Sequence, residues 1–323
     1  MKKYTHLSYT QRYHIWYLLK LGLSQKFIAE FIEVSPSTIC REIKRNKGLR
    51  SYCAKKAHRL AQQRRSNSAH SNANRIPDSI KKEALALINE DWSPDQVAQY
   101  LKRCGKSVSH ETIYQWIIKD RRQGGSLSKH LRRRQRKYNR RTGNASGRGF
   151  IKNRIPIEQR PEIVETRSRY GDWEVDTVIG KQSRGPVLVT LVERKSRFLL
   201  ATKARNRSSQ EVNRALIRVA KPYSRMIHTM TFDNGKEFAN HEQIAESLHC
   251  QTYFAAPYHS WQRGTNENTN GLLRQYFPKG QSFRGIRIEQ VKQAQDKINN
   301  RPKRILNYNC PQKVFMQAFE NSL

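Results

Sequence analysis

The sequence predicts a multidomain protein, with α-helical helix-turn-helix domains in the first half and an α/β domain built on a mixed five-stranded sheet in the second. Three observations carry this. Short, capped amphipathic helices occur in pairs at 10–46 and again at 92–119. The positive charge is concentrated ahead of residue 150. From about residue 170, period-two alternation replaces helical spacing, and the elements follow the order β-β-β-α-β-α-β-α.

The first helix is expected over 10–21, with Tyr13, Ile15, Trp16, Leu18 and Leu19 on one broad apolar face and Gly22 ending it. Ser24 caps a second helix carrying Phe27, Ile28, Phe31 and Ile32. Ser35 and Pro36 then open a third, with Ile39 and Ile43 facing inward. Helix, tight turn and helix form the helix-turn-helix pattern. The last helix would expose Ser37, Thr38, Arg41, Lys44 and Arg45 to DNA. An ordinary helical hairpin with a solvated basic face would look the same.

A second copy begins at Trp92-Ser93-Pro94-Asp95-Gln96, where Ser93 and Gln96 form a capping box. Val97 and Leu101 face inward, and Ser109 caps a helix with Ile113, Trp116 and Ile117 on one side. His110, Thr112 and Gln115 face out as DNA contacts. The polar stretch 62–75 reads as a linker. Leu131 to Arg154 holds ten basic residues and no acid, which suits a segment lying along phosphates. The domains are therefore expected at 1–61, 76–130 and 166–323, with linkers at 62–75 and 131–165.

Charge narrows the partners. Among 323 residues, 62 are Lys or Arg and 26 Asp or Glu, a formal +36. Residues 1–150 hold 33 basic and 10 acidic side chains, and the remainder 29 and 16. A chain so self-repelling calls for a polyanion, and double-stranded DNA is the expected partner. At 36% hydrophobic residues the chain is no generic disordered protein. No apolar run nears the ~18 residues that cross a bilayer, and no apolar segment follows the basic start, so no signal peptide is expected. Cys40, Cys53, Cys104, Cys250 and Cys310 make no C-x-x-C pair, which argues against a zinc module or disulfide framework and for a reducing, cytoplasmic setting.

In the second half, strands are expected over 171–180, 186–192, 198–202, 227–232 and 251–254, with helices over 208–220, 240–248 and 265–276. Three acids stand out. Asp233 ends the fourth strand, where open α/β sheets place ligand groups. Glu267 sits at a helix start, and Asp176 lies within the first strand. Converging carboxylates would make a hard-oxygen site for Mg²⁺ or Mn²⁺. Each acid alone is ordinary, and Asp172, Glu174 and Asp176 share one strand face, so spacing does not choose among them.

Trp173-Glu174-Val175-Asp176, Phe232-Asp233-Asn234-Gly235-Lys236-Glu237-Phe238 and Gly264-Thr265-Asn266-Glu267 resemble the motifs of DDE transposases and retroviral integrases. The resemblance implies an RNase H-like catalytic core. It selects Asp176, three residues after the Trp, and pairs it with Asp233 and Glu267, which have 33 residues between them. A basic residue seven positions after the Glu is also usual, and Arg274 occupies it. With Trp92 to Gln96 and Val108 to Tyr114, the pattern is most similar to the insertion-sequence-thirty family of bacterial transposases.

That resemblance implies two Mg²⁺ ions held by Asp176, Asp233 and Glu267, with Mn²⁺ able to substitute, cutting and rejoining DNA strands without a covalent protein–DNA intermediate. Arg274 would face DNA near the cut end. The implied substrates are terminal inverted repeats and target DNA, and two ends must meet, so a homodimer or larger assembly is expected. The competing reading is a sequence-specific DNA-binding regulator without catalysis. A structure-specific nuclease of the same fold would share the acids but has no need of two reading heads.

Overall fold

Side-chain caps set the first helices. Ser8 and Gln11 form a reciprocal capping box at the start of α1 (Tyr9–Lys20), and the Ser24 hydroxyl accepts from the Phe27 N–H at the start of α2 (Gln25–Phe31). The computed structural model describes residues 6–46, 51–73, 76–132, 151–181, 185–256 and 264–322. The chain divides into two compact units, Met1–Lys81 and Lys82–Leu323.

In the first unit, α3 (Pro36–Asn46) follows α2 through a turn in which Glu33 takes a left-handed φ of 54°. Ile15, Ile28 and Ile39, one from each helix, are fully buried together. Tyr13, expected on the inner face of α1, is instead 47% exposed. Its place is taken by Arg12, which is 3% exposed, donates to the Leu7 carbonyl at 2.6 Å and pairs with Glu42 at 2.7 Å. The linker expected at 62–75 is helical over 62–73, and 74–75 lie outside the described residues. Residues 62–73 belong to α4 (Ala54–Ala73), whose alanines, glutamines and arginines are strong helix formers. Arg64 ties it to α3 by donating to Asn46 Oδ1 at 2.7 Å. Composition suggested a polar tether, but helix propensity and one buried amide prevailed.

The second unit opens with most of α5 (Asp78–Asn89), then α6 (Pro94–Arg103) and α7 (His110–Arg122). The capping box at Ser93 and Gln96 and the Ser109 cap are both present. These helices lie in one compact unit with the sheet rather than apart from it. Gln96 donates to the Pro302 carbonyl at 2.6 Å, and Arg103 to the carbonyls of Asn307 and Tyr308. Residues 133–150 of the expected basic linker lie outside the described residues.

The sheet has the order β3-β2-β1-β4-β5, formed by β1 (Asp172–Ile179), β2 (Val187–Glu193), β3 (Leu199–Ala204), β4 (Thr229–Phe232) and β5 (Gln251–Phe254). The first three strands run antiparallel and the last two parallel to β1. A short helix, α8 (Glu162–Thr166), precedes it. Then α9 (Ser209–Ala220) and α10 (His241–Leu248) help close one apolar core with Trp173, Phe232 and Leu191. The opposite face packs on α11 (Gly264–Tyr276) and α12 (Ile288–Asn299) through Leu273, Phe277, Val291 and Ile298. The final helix, α13 (Pro311–Glu320), returns Phe315 to stack on Phe198 at 4.4 Å. Gly171, ahead of β1, has φ +96°, and a Cβ there would meet the His228 ring at 2.7 Å, so this position needs glycine. No described helix is long and apolar enough to cross a membrane.

Candidate active site and DNA-binding surfaces

Strand pairing sets β1, which carries Asp176, beside β4, which leads to Asp233. β1 and β4 pair in parallel with Asp172 opposite Thr229 and Glu174 opposite Thr231. The paired register ends there, two residues short of Asp176 on β1 and of Asp233 after β4. Asp233 lies just past the end of β4, in a turn where its Oδ1 accepts from the Gly235 N–H at 2.9 Å. Glu267 lies in the first turn of α11. A cavity of about 640 Å³ is lined by Asp176, Glu267, Asn270, Arg274, Lys279 and Arg132, among others. Asp176 and Glu267 thus share one opening.

The three acids on one face of β1 have different surroundings. Asp172, 1% exposed, accepts from Arg169 twice at 3.0 Å and from the Thr229 hydroxyl at 2.7 Å. Glu174 is fully buried, accepting from Arg194 at 2.8 Å and from the Asn266 N–H at 3.1 Å. Asp176 is half-buried and reaches the cavity. Its Oδ1 accepts from the Thr177 N–H at 2.9 Å and its Oδ2 from the Asn270 amide at 2.8 Å. Asn270 also accepts from the Thr190 hydroxyl at 3.1 Å, so it fastens α11 to β1 and β2 at the carboxylate.

Arg274 lines the same cavity but is already engaged. It donates to the Ile179 carbonyl at 2.8 Å and to the Phe277 carbonyl at 3.5 Å. Burial lowers its pKa, and the nearby Asp176 charge works in the opposite direction. Glu237, 3% exposed, accepts from Thr177 at 2.8 Å and pairs with Arg207, joining the Asp233 turn to β1. The oxygen-only donor set of Asp176, Asp233 and Glu267 suits a hard divalent cation rather than zinc. Among the described residues, no three Asp, Glu, His or Cys side chains stand close enough to hold an ion as a ready-made cage. The donor chemistry fits, and two of the three acids share the cavity.

Of the expected DNA contacts, Ser37, Arg41, Lys44 and Arg45 are exposed along α3. Arg41 folds back to donate to the Ser37 hydroxyl at 2.9 Å. Thr38 is half-buried and shares a hydrogen bond with Ser35 at 2.8 Å, so it supports the helix start. On α7, His110 and Gln115 are exposed, while Thr112 is half-buried beside Ser109 at 2.9 Å. Sequence reasoning missed Asn270; it left Glu174 open as an alternative on the strand face and met Arg132 only within the basic run. Asn270 follows Glu267 by one helical turn, and that spacing alone could have marked it.

The Integrase core domain family matches residues 167–260, a Helix-turn-helix domain residues 3–46, and a Homeodomain-like domain residues 38–117. The transposase for insertion sequence element IS4351 of Bacteroides fragilis is 42% identical over 320 residues, covering 98% of this chain and 97% of that protein. Transposase InsI for insertion sequence element IS30A of Escherichia coli K12 is 34% identical, covering 96% and 83%. The catalytic core domain of BIV integrase aligns with 47% of this chain and 98% of its own, at 16% identity and a TM-score of 0.39. Integrase-core transposases bind DNA and depend on divalent cations. With relatives of this identity aligned over nearly its whole length, the chain belongs to the insertion-sequence-thirty family of transposases.

Proposed function

We propose that the protein binds the terminal inverted repeats of its own element through α3 and α7, then cuts and rejoins DNA strands at the cavity lined by Asp176 and Glu267. The observation that carries this is the cavity that Asp176 and Glu267 share. Asp176, Asp233 and Glu267 are the residues that would hold the cations. Two Mg²⁺, with Mn²⁺ as a substitute, supply charge that lowers the pKa of an attacking water or hydroxyl and offsets charge on the leaving oxygen.

The chain's own residues perform the rest. Asn270 fixes one oxygen of Asp176 and the Thr177 N–H the other, so the carboxylate is oriented before DNA arrives. Arg132, Lys279 and Arg274 give the rim a positive field for the phosphates. Hydrolysis of one phosphodiester at the element end frees a 3′-OH. That oxygen then forms a new P–O bond with a second phosphodiester as the older P–O bond breaks, so no Tyr or Ser nucleophile is needed. The ends and the target occupy one assembly, for which a dimer or larger homo-oligomer is required, working where bacterial DNA lies.

The test is a cleavage and joining assay on duplexes carrying the element's terminal repeats, with Mg²⁺, Mn²⁺ or EDTA. Metal-dependent 3′-OH ends and joined products, lost in Glu267→Gln while DNA binding persists, are expected. Tight binding with no nicking under either metal would instead favour the non-catalytic regulator.

A further inference from the structure

Next to the carboxylate cavity is a second one, of about 380 Å³, and Gly264 and Asn268 line both. Its charged lining is entirely cationic, comprising Arg167, Arg197 and Lys303. They come from three separate places: the end of α8, the turn between β2 and β3, and the loop after α12. Arg167 and Arg197 hold left-handed backbones at φ 54° and 63°. Such conformations are disfavoured for long side chains and gather where position matters.

Among the described residues, none of the three cations forms an ion pair. Lys303 makes no side-chain hydrogen bond or ion pair among the described residues, and Arg167 has a buried Nε with no partner. Arg197, 9% exposed, donates to Thr265 Oγ1 at 2.6 Å but leaves its own Nε unpartnered. Three carboxylates lie in the neighbourhood, and all are occupied. Glu165 pairs with Arg160 and Arg194, Glu174 with Arg194 and the Asn266 N–H, and Glu193 with Ser196 and the Gly171 N–H. None of the three lines the cavity. Burial and the charges of Arg301, Arg197 and Arg132 push the Lys303 ammonium down to about 8, and burial with the charge of Arg167 brings Arg197 to about 10. The positive end of α11 opens at the same place. Half-buried positive charge of this density is stabilised by an anion from outside.

We propose that this cavity binds one backbone phosphodiester of the bound DNA, distinct from the phosphodiester being cut and close to it. Arginine forks and a lysine point charge suit a phosphate's oxygens. The cavity's contiguity with the carboxylates makes the ligand a neighbour of the scissile bond. The proposal rests on the transposase reading of the adjoining site. It assigns Arg167, Arg197 and Lys303 to holding the strand in place, with no role in bond breaking.

The experiment uses the full chain and terminal-repeat duplexes in which single phosphates are replaced, one at a time, by neutral methylphosphonates. Binding is measured in EDTA, and cleavage of the unmodified duplex by the wild type is measured alongside with Mg²⁺. In the wild type, one methylphosphonate near the cut should weaken binding by about tenfold, near 1.4 kcal/mol. Lys303→Gln should weaken binding to unmodified DNA by a similar factor and reduce the salt slope by about 0.9. The same methylphosphonate should then have no further effect in the variant. Removing a charge that faces three guanidiniums should raise the melting temperature of the DNA-free protein, and Arg167→Gln provides a second variant with the same expected loss of binding. If every methylphosphonate still exerts its full wild-type effect in both variants, the proposal is overturned. If millimolar inorganic phosphate stabilises the wild type more than Lys303→Gln while no methylphosphonate is silenced, the cavity takes a small phosphate and the DNA assignment falls. Failure of the wild type to cleave would refute the transposase reading, whereas cleavage without a silenced phosphate refutes only this one.

Discussion

The buried carboxylate of Glu174 accepts a hydrogen bond, at 3.1 Å, from the backbone N–H of Asn266, the residue before Glu267. A side chain in β1 thereby holds the first turn of the helix that carries the last acid of the motif. Arg194, donating at 2.8 Å, balances its charge in a site with no exposure. Glu174→Ala would leave Arg194 buried with one fewer partner and should cost about 3 kcal/mol in urea unfolding. Glu174→Gln keeps the shape but weakens the grip on α11. It should fold, bind terminal repeats as the wild type does, and lose cleavage rate. Wild-type cleavage by Glu174→Gln would show that the helix start needs no charged anchor.

Asn270 links Asp176 and Thr190 across three elements. Residues that orient a metal-binding carboxylate typically contribute a factor of ~10–100 in metal affinity or activity. Asn270→Ala should therefore raise the Mg²⁺ concentration at half-maximal cleavage by about tenfold or more. Saturating Mg²⁺ should restore part of the rate. A fall in rate at all Mg²⁺ concentrations with an unchanged midpoint would contradict this orienting role.

Much of this arrangement was legible from residue order. The alternation through Val187 to Val192 and the helical spacing of Val212, Ala215, Leu216 and Val219 placed β2 and α9 within a residue or two. The Ser93 and Ser109 caps located α6 and α7, because capping is a local interaction. What local pattern could not give was partnership across the fold. Asp172, Glu174 and Asp176 are equivalent by periodicity, and they differ only because Arg169, Arg194 and Asn270 arrive from elsewhere. Likewise α4 was hidden by a polar composition that a tether and a solvated helix share. Lys303 and Arg197, 106 residues apart, meet only through the return of the chain after α12.

On α3, Lys44 and Arg45 are exposed in the last turn, and among the described residues no carboxylate pairs with either. Neutralising either should weaken binding to specific and unrelated duplexes alike if it meets phosphate. The slope of log affinity against log salt should fall by about 1. Arg41 is different, since Ser37 already orients its guanidinium at 2.9 Å. Arg41→Ala should cost about 1–3 kcal/mol on the terminal repeat and little on unrelated DNA. Equal losses on both duplexes would move Arg41 into the phosphate-contacting class.

Asp91 fastens the α5–α7 region to the helices beneath the sheet. It turns the chain after α5 at φ 65° and accepts from His130 at 2.8 Å and from the Tyr276 hydroxyl at 2.9 Å. Lys297 lies 3.6 Å away and Arg301 3.8 Å. Burial alone would raise its pKa, but the hydrogen bonds from His130 and Tyr276 and the charges of Lys297 and Arg301 outweigh it, and the carboxyl sits below its ordinary 3.8. A folded pKa below the unfolded one means that the stabilisation is fully present above pH 3.8 and disappears as the pH falls through the lower folded value. Asp91→Asn should therefore lose about 2 kcal/mol near neutral pH, the scale of a hydrogen bond to a charged group. The gap between the two proteins should narrow below pH 4, where the wild-type carboxyl also becomes neutral. Denaturant unfolding of both proteins across that range reads this directly. Curves that stay parallel down to pH 3 would mean that Asp91 contributes shape and hydrogen bonding alone, without its charge.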